Sequence, residues 1–109
     1  MSEVFEMDSL EWRSLRPEIT TEVYAKLVLA DEVKVMLIRV APGGGFRSHR
    51  DGYGHIFYFL TGQGVVRVGE GEHAAKPGLV VNVTAGEPHA YENTGETDLT
   101  LLSINIPSP

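Results

Sequence analysis

Short apolar runs, separated by glycine, proline and acidic residues, follow one another along most of this chain. From Glu22 to Leu29 apolar and polar residues alternate, and a second apolar run covers 33–40. The three residues Ala30, Asp31 and Glu32 between these runs are typical of a turn, so we predict that the two runs form a β-hairpin. Further apolar runs bounded by turn residues predict strands at 55–60, 65–68, 79–83, 89–93 and 99–106.

Two segments interrupt this strand pattern. Ser9 or Asp8 can cap a short helix that continues through Leu10 to Leu15, and Pro17 would end it. After the second strand, Pro42 lacks an N–H donor, and three glycines follow it directly at 43–45. We predict that regular strand pairing stops at this point.

The number and spacing of the strands favour a closed fold. About eight short strands recur at roughly ten-residue intervals, which is typical of barrels and double-sheet folds. The predicted fold is all-β, an antiparallel double-sheet jelly-roll barrel with a short N-terminal helical turn. At 109 residues the chain has the length of one domain, and we predict an arm over 1–21 and a barrel over 22–106.

The run at 55–60 is apolar at nearly every position, so both faces of this strand should be covered. The barrel interior would cover one face, and we predict that a homodimer through the outer face covers the other.

Charge and composition exclude several classes of function. The net charge is −6, and the nine Lys and Arg residues are scattered, which argues against binding to nucleic acid or to an anionic membrane. Because cysteine is absent, any metal must be bound by imidazole and carboxylate groups. The acidic start of the chain does not resemble a secretory signal and no apolar run is long enough to span a membrane, so we expect a cytoplasmic protein.

Histidines are the candidate functional residues of this chain. His49, His55 and His89 lie close to glycine-containing turns, and Asp51 is two residues after His49, which places both side chains on one face of an extended segment. Together the four residues could bind a mononuclear divalent metal. The alternative is that each histidine is an ordinary polar residue at the end of a strand.

Two stretches of the chain resemble the two sequence motifs of the cupins. The first runs from Gly45 to Gly62 and contains His49-x-Asp51-x3-His55-x6-Gly62. The second is Gly78-x5-Thr84-x-Gly86-x2-His89-x3-Asn93, in which threonine replaces the usual proline.

This resemblance implies a cupin barrel in which His49 and His89 bind one divalent transition metal, either Fe, Mn, Zn or Ni. Asp51 stands where cupins usually have a second histidine, and His55 stands where they usually have glutamate. The chain is thus similar to small cupins with four histidines, with Asp51 in place of one. We expect Asp51 either to bind the metal or to orient a metal-bound water.

The resemblance leaves more than one function open. The order His49-x-Asp51 followed by a distant His89 is also that of the facial triad of non-haem iron oxygenases. The segment 91–109 contains no Arg or Lys, which argues against a 2-oxoglutarate-dependent enzyme. We expect a metal-dependent enzyme with dioxygenase-like or isomerase-like chemistry. A non-catalytic or sensory module that binds a small molecule or a metal is the alternative, and a purely structural role is a third possibility.

The pocket residues follow from the alternation of strands. Phe57 and Phe59 share the face of His55, Tyr91 and Asn93 share the face of His89, and Tyr53 lies beside the first motif. We predict that these five side chains line a pocket for a small-molecule ligand, while no residue is assigned a catalytic role.

Other polar and aromatic residues are predicted to lie outside the site. We expect His73 on an exposed turn and Trp12 as a plug over the barrel. Arg39 and Arg67 are expected to face solvent or a surface carboxylate, although either could serve an acidic substrate if it pointed inward.

Overall fold

The structure is a computed structural model that describes residues 2–107. The described residues form nine β-strands and one 3-10 turn. The elements are the turn at Met7–Ser9 and the strands β1 (Arg13–Ser14), β2 (Thr20–Ala30), β3 (Lys34–His49), β4 (Gly54–Thr61), β5 (Gly64–Val68), β6 (Gly71–Ala75), β7 (Val80–Val83), β8 (His89–Asn93) and β9 (Leu99–Ile106). The all-β prediction is confirmed, and so is the hairpin of β2 and β3. Within this part of the chain no helix has the length and apolar character needed to cross a membrane.

All strand pairs are antiparallel, and together they form one sheet that curls over on itself. The order is β6-β5-β8-β3-β9-β4-β7, with β2 paired to β3 and β1 to β2. The first part of β3, residues 34–40, pairs with β9, whereas its last part, 45–49, pairs with β8. β3 therefore belongs to both halves of the jelly roll and joins them.

The middle of β3 departs from the prediction that pairing stops at Pro42. The strand continues through this segment, but its register with β2 shifts between Thr21 and Val23. Gly43 has φ +82°, a left-handed conformation that glycine adopts without steric cost. The segment is a bulge that turns one strand from the first half of the sheet into the second, which is how strands change sheets at a corner.

Gly44 is expected to be required at this bulge. A Cβ atom added there would lie 2.5 Å from the carbonyl oxygen of Thr21, a backbone atom that cannot rotate away. We expect Gly44→Ala to lower the free energy of unfolding by about 1–3 kcal/mol, the usual cost of overpacking. Gly52→Ala is the matched control, because nothing lies within 4 Å of a Cβ at Gly52. Equal urea midpoints for the two variants would contradict this assignment.

Alternate residues of the strands fill the space between the two halves of the sheet. In β4 the buried residues are His55, Phe57 and Phe59, while Tyr58 between them is 42% exposed. Tyr58 pairs with Val80 of β7, which is also exposed, so the outer face of β4 presents apolar side chains. The expectation that a second copy covers this face stays a prediction.

The N-terminal arm differs from the predicted helix over Leu10–Leu15. The helical turn lies earlier, at Met7–Ser9, and the following chain is extended so that Arg13 and Ser14 pair with β2. Edge pairing with β2 satisfies backbone groups that a single isolated helical turn would leave to solvent.

Trp12 is not a plug over the barrel. Its ring lies on the outer face of the hairpin, with the guanidinium carbon of Arg39 4.4 Å and the ammonium of Lys26 4.8 Å from the ring centroid. Leu15 and Ile19 of the arm instead pack against the core. The arm is thus anchored by cation–π contacts outside and by aliphatic side chains inside.

The remaining polar residues lie mostly where they were expected. Arg39 stacks on aromatic rings outside the barrel, and Arg67 pairs with the surface carboxylates of Glu72 and Glu92. His73 is exposed as predicted, but it lies on strand β6 and not on a turn.

Candidate metal centre

The ends of three strands bring the motif residues together at one mouth of the barrel. His49 is the last residue of β3, His89 is the first residue of β8, and the two are paired in the sheet. His55 lies at the start of β4, and Asp51 lies in the short connection between β3 and β4. Residues that are far apart in sequence therefore point into one small volume.

Three imidazole nitrogens converge on one carboxylate oxygen. The Nε2 atoms of His49 and His55 both lie 3.0 Å from Asp51 Oδ2, and that of His89 lies 3.5 Å from it. The ring centroids of His49 and His55 lie 4.2 Å and 4.6 Å from that of His89. All four side chains are largely buried, with 2–11% of their surface exposed.

The opposite ring nitrogens fix the orientation of the imidazoles. The Nδ1–H of His49 donates to the Arg47 carbonyl oxygen at 2.8 Å, and that of His89 donates to the Glu87 carbonyl oxygen at 2.9 Å. In His55, Nδ1 lies 3.0 Å from the side-chain oxygen of Asn105. Since these oxygens only accept, each Nδ1 carries a proton, and Nε2 is the ring nitrogen that each histidine turns toward Asp51. A proton on Nε2 or a metal ion bound beside it would make the contact between such a nitrogen and the carboxylate attractive.

The electrostatic surroundings keep Asp51 ionised. Burial by itself raises the pKa of this carboxyl group, but hydrogen bonds with His55 and Arg16 and the charges of His49 and Arg16 together hold it below the ordinary value. Arg16 Nη1 donates to Asp51 Oδ1 at 3.0 Å. An ionised carboxylate is the form that binds metal.

The imidazole of His89 is also held in the form that binds metal. Burial lowers its pKa, and the neighbouring His49 and His55 lower it further, although the bond to the Glu87 carbonyl and the charge of Asp51 oppose this. A neutral His89 has its Nε2 lone pair free for coordination.

A cavity of about 100 Å³ opens next to these residues. Three of the five predicted pocket residues, Tyr53, Phe57 and Tyr91, are among the residues that line it. Burial raises the pKa of both tyrosines, so their hydroxyl groups stay protonated and can donate hydrogen bonds. The full lining is Leu15, Arg16, Lys34, Met36, Ile38, Phe46, His49, Asp51, Tyr53, His55, Phe57, His89, Tyr91, Ser103 and Asn105.

Two of the predicted pocket residues lie outside this lining. Phe59 is completely buried and contacts Tyr91 edge-on, with ring centroids 6.5 Å apart. Asn93 Nδ2 donates to the carbonyl oxygens of Val40 and Thr97. Both side chains point inward as alternation predicts, but they lie deeper than the cavity, in the core and at a turn.

Sequence reasoning missed several lining residues, above all the two cations. Arg16 comes from the arm, where no periodic pattern assigns it a direction. Lys34 and Asn105 are paired across β3 and β9 at the mouth of the barrel. The alternation of inward and outward side chains along these strands could have indicated that both point inward. The segment 91–109 indeed supplies no cation, and the positive charges of the cavity come from before the first motif.

Residues 36–105 match the sequence pattern of the Cupin domain family, which is more than half of the chain. The chain is a cupin. The matched region contains all four of the converging side chains, so the resemblance seen in the two motifs is confirmed.

Relatives of this cupin include proteins linked to oxalate. An oxalate-binding protein from Thermotoga maritima is 36% identical over 70 residues, which are 63% of this chain but only 58% of that relative. The structure of a predicted oxalate decarboxylase from Thermotoga maritima has a TM-score of 0.86 at 27% identity and covers 97% of this chain and 100% of its own. The polyketide cyclase RemF from Streptomyces resistomycificus has a TM-score of 0.87 at 18% identity, covering 96% and 79%, and shows the shared fold alone.

The donor set of this cupin fits a divalent transition metal. One ligand atom each from His49, Asp51 and His89 all lie within 4.8 Å of one another, so a single ion could contact all three. His55 falls outside this group, but its Nε2 contacts the same carboxylate oxygen. Imidazole suits zinc, iron, nickel and copper, whereas a carboxylate is accepted by most divalent metals.

Proposed function

We propose that this cupin binds one divalent transition metal, either Fe, Mn, Zn or Ni, through His49, His55, His89 and Asp51, and that it holds a small carboxylate such as oxalate beside the metal. The observation that carries the proposal is the approach of three imidazole Nε2 atoms to within 3.0–3.5 Å of Asp51 Oδ2. With Nδ1 bound to an acceptor, each ring turns its Nε2 toward the carboxylate, and a divalent cation would be attracted to this group of nitrogen and oxygen atoms.

The charges of the cavity support an anionic ligand. Arg16 and Lys34 both line it, although the protein as a whole carries a net charge of −6. Among the described residues Lys34 makes no ion pair, so its ammonium group is available to a ligand. A bound divalent cation would add to this positive field. A small anion is therefore attracted to the one mouth of the barrel where the histidines converge.

The size of the cavity supports a small ligand. A cavity of about 100 Å³ is smaller than the roughly 150 Å³ cavity that holds benzene in another protein. Oxalate has few atoms and two carboxylates, and the relatives named for oxalate fit this choice. The walls next to the site, formed by Met36, Ile38 and Phe57, are apolar and would exclude water from the bound ligand.

The residues around the ligand have separable roles in this proposal. A bound metal would act as a Lewis acid or as a redox centre. Arg16 and Lys34 would pair with carboxylate oxygens, and the protonated Tyr53 hydroxyl would donate a hydrogen bond at the mouth. The apolar walls would strengthen these contacts by lowering the local dielectric.

An oxygenase is the second candidate, and the compact group of His49, Asp51 and His89 favours it. These two histidines and one carboxylate are the ligand types of the facial triad that leaves open positions on iron. Uptake of dioxygen by the iron-loaded protein on addition of a substrate would distinguish this activity from simple carboxylate binding.

Titration calorimetry with oxalate tests the proposal. We expect Mn-loaded protein to bind oxalate at least about tenfold more tightly than chelator-treated protein, a difference of about 1.4 kcal/mol. Propionamide, which is neutral, is the control ligand and should give no metal-dependent heat. Equal oxalate affinity with and without metal would overturn the proposed role of the ion. Formation of formate or carbon dioxide in the same samples would identify the protein as an enzyme.

A further inference from the structure

Asp51 uses its two carboxylate oxygens for different partners. Oδ2 faces the Nε2 atoms of the three histidines, while Oδ1 accepts a hydrogen bond from Arg16 Nη1 at 3.0 Å. Arg16 comes from the arm that precedes the barrel and lies outside both sequence motifs. A residue outside the motifs therefore binds the carboxylate oxygen that the histidines do not face.

The three histidines face one oxygen of Asp51 and leave the other to Arg16. With Nδ1 of His49 and His89 donating to backbone carbonyl oxygens, the Nε2 atoms of these rings face Oδ2. Arg16 is the group beside Asp51 that carries a permanent positive charge and offers N–H donors under all conditions. Its hydrogen bond to Oδ1 leaves Oδ2 free to act as a single-oxygen ligand.

The backbone at Arg16 is shaped to deliver this side chain. Arg16 has φ +45°, a left-handed conformation that is uncommon for a residue other than glycine. Several bonds hold the turn: Ile19 N–H donates to the Arg16 carbonyl at 3.0 Å, and the Thr20 hydroxyl donates to the Leu15 and Arg16 carbonyls at 2.7 and 3.1 Å. Unfavourable backbone angles that neighbouring contacts maintain are found preferentially at functional sites.

The turn is also connected to the strand that carries His49. Arg47 N–H donates to the Ile19 carbonyl at 3.0 Å, and Arg47 Nη2 donates to the Glu18 carbonyl at 2.9 Å. The Arg47 carbonyl in turn accepts the Nδ1–H of His49. Arm, strand and metal centre thus form one connected set of hydrogen bonds.

We infer that Arg16 is a positioning residue of the metal centre, which holds Asp51 with Oδ2 toward the three histidines. The inference rests on the proposed metal site and adds a residue from the arm to it. Outer partners of metal ligands commonly change metal affinity by 10–100-fold when they are removed.

Metal binding alone tests this inference, without any carboxylate ligand. Arg16→Asn removes the guanidinium but keeps a residue that tolerates left-handed angles, and Arg16→Lys keeps a positive charge without the planar donor group. We expect Arg16→Asn to weaken Co²⁺ binding by about 10–100-fold and to change the visible absorption of the bound Co²⁺. Arg16→Lys should recover part of both. Arg13→Asn is the matched control, because Arg13 lies on the same arm and its exposed side chain forms an ion pair with Glu11, away from Asp51.

The outcomes separate the two proposals. Failure of the unmodified protein to bind Co²⁺ would overturn the metal site itself. Unchanged affinity and absorption in Arg16→Asn, with strong binding by the unmodified protein, would overturn only the role of Arg16. In the Asp51→Ala background, Arg16→Asn should cause little further loss, since its effect passes through that carboxylate. Fully additive losses would contradict the inference.

Discussion

Replacing His89 with alanine is expected to abolish stoichiometric metal binding. His89 is 2% exposed and its Nδ1–H is fixed by the Glu87 carbonyl, so its Nε2 is held toward Asp51 and the other histidines. Loss of a residue that hydrogen-bonds to a metal ligand typically lowers metal affinity by about 10–100-fold, and loss of a ligand itself should lower it by at least about 100-fold. Metal analysis of protein purified and dialysed against a trace of Mn²⁺ measures the result.

His73→Ala is the control for this experiment, because His73 is exposed on β6 and lies apart from the cavity lining. It should retain the metal content of the unmodified protein. Circular dichroism must show that His89→Ala keeps its β-structure, since the replaced side chain is almost completely buried. A folded His89→Ala protein with unchanged metal content would mean that the ion binds elsewhere.

Truncation of Phe59 to alanine is expected to be the most destabilising single change in the core. Its side chain is completely buried between the two halves of the sheet and contacts Tyr91. Removal of a buried phenylalanine ring typically costs about 3–5 kcal/mol, because the lost transfer free energy is joined by the cost of a cavity. Since small domains have a total stability of about 5–15 kcal/mol, a large part of the protein could be unfolded at 37 °C.

Tyr58→Ala provides the matched comparison. Tyr58 is the neighbouring residue on β4 and is 42% exposed, so its truncation should cost well under half as much. Urea unfolding followed by tryptophan fluorescence gives both values from one assay, because the chain has a single tryptophan. Similar losses for the two variants would indicate that the outer face of β4 is covered by another molecule in solution.

Much of the barrel could be predicted from local patterns. Strands β8 and β9 begin and end where the sequence predicts, because Gly86 on one side and the polar residues 94–98 on the other leave no alternative. β3 could not be predicted in full: local chemistry at Pro42 favours a break, but pairing with β2, β8 and β9 carries the strand through as a bulge. The helix predicted for the arm was wrong for a related reason, because pairing with the available edge of β2 makes this segment extended.

The candidate site, too, could be predicted only in part from the sequence. The motif spacing identified the four side chains that converge, and alternation gave the correct face for Phe57 and Tyr91. Alternation shows which face of a strand a side chain is on but not how far it lies from the mouth of the barrel. It therefore also predicted Phe59 as a pocket residue, although Phe59 lies deeper and is completely buried. Arg16 reaches the site through a left-handed turn and a connection to β3, and neither feature has a local sequence signal in this chain.

The sharing of β3 between both halves of the sheet has a consequence for how the protein folds. His49 at one end of this strand meets His89 only after β3 and β8 have paired across a long stretch of chain, and its other end pairs with the C-terminal β9. Such non-local pairings close late and slow the folding of β-proteins to milliseconds or seconds. The ligands are therefore assembled near the end of the reaction, so metal should slow unfolding far more than it accelerates folding.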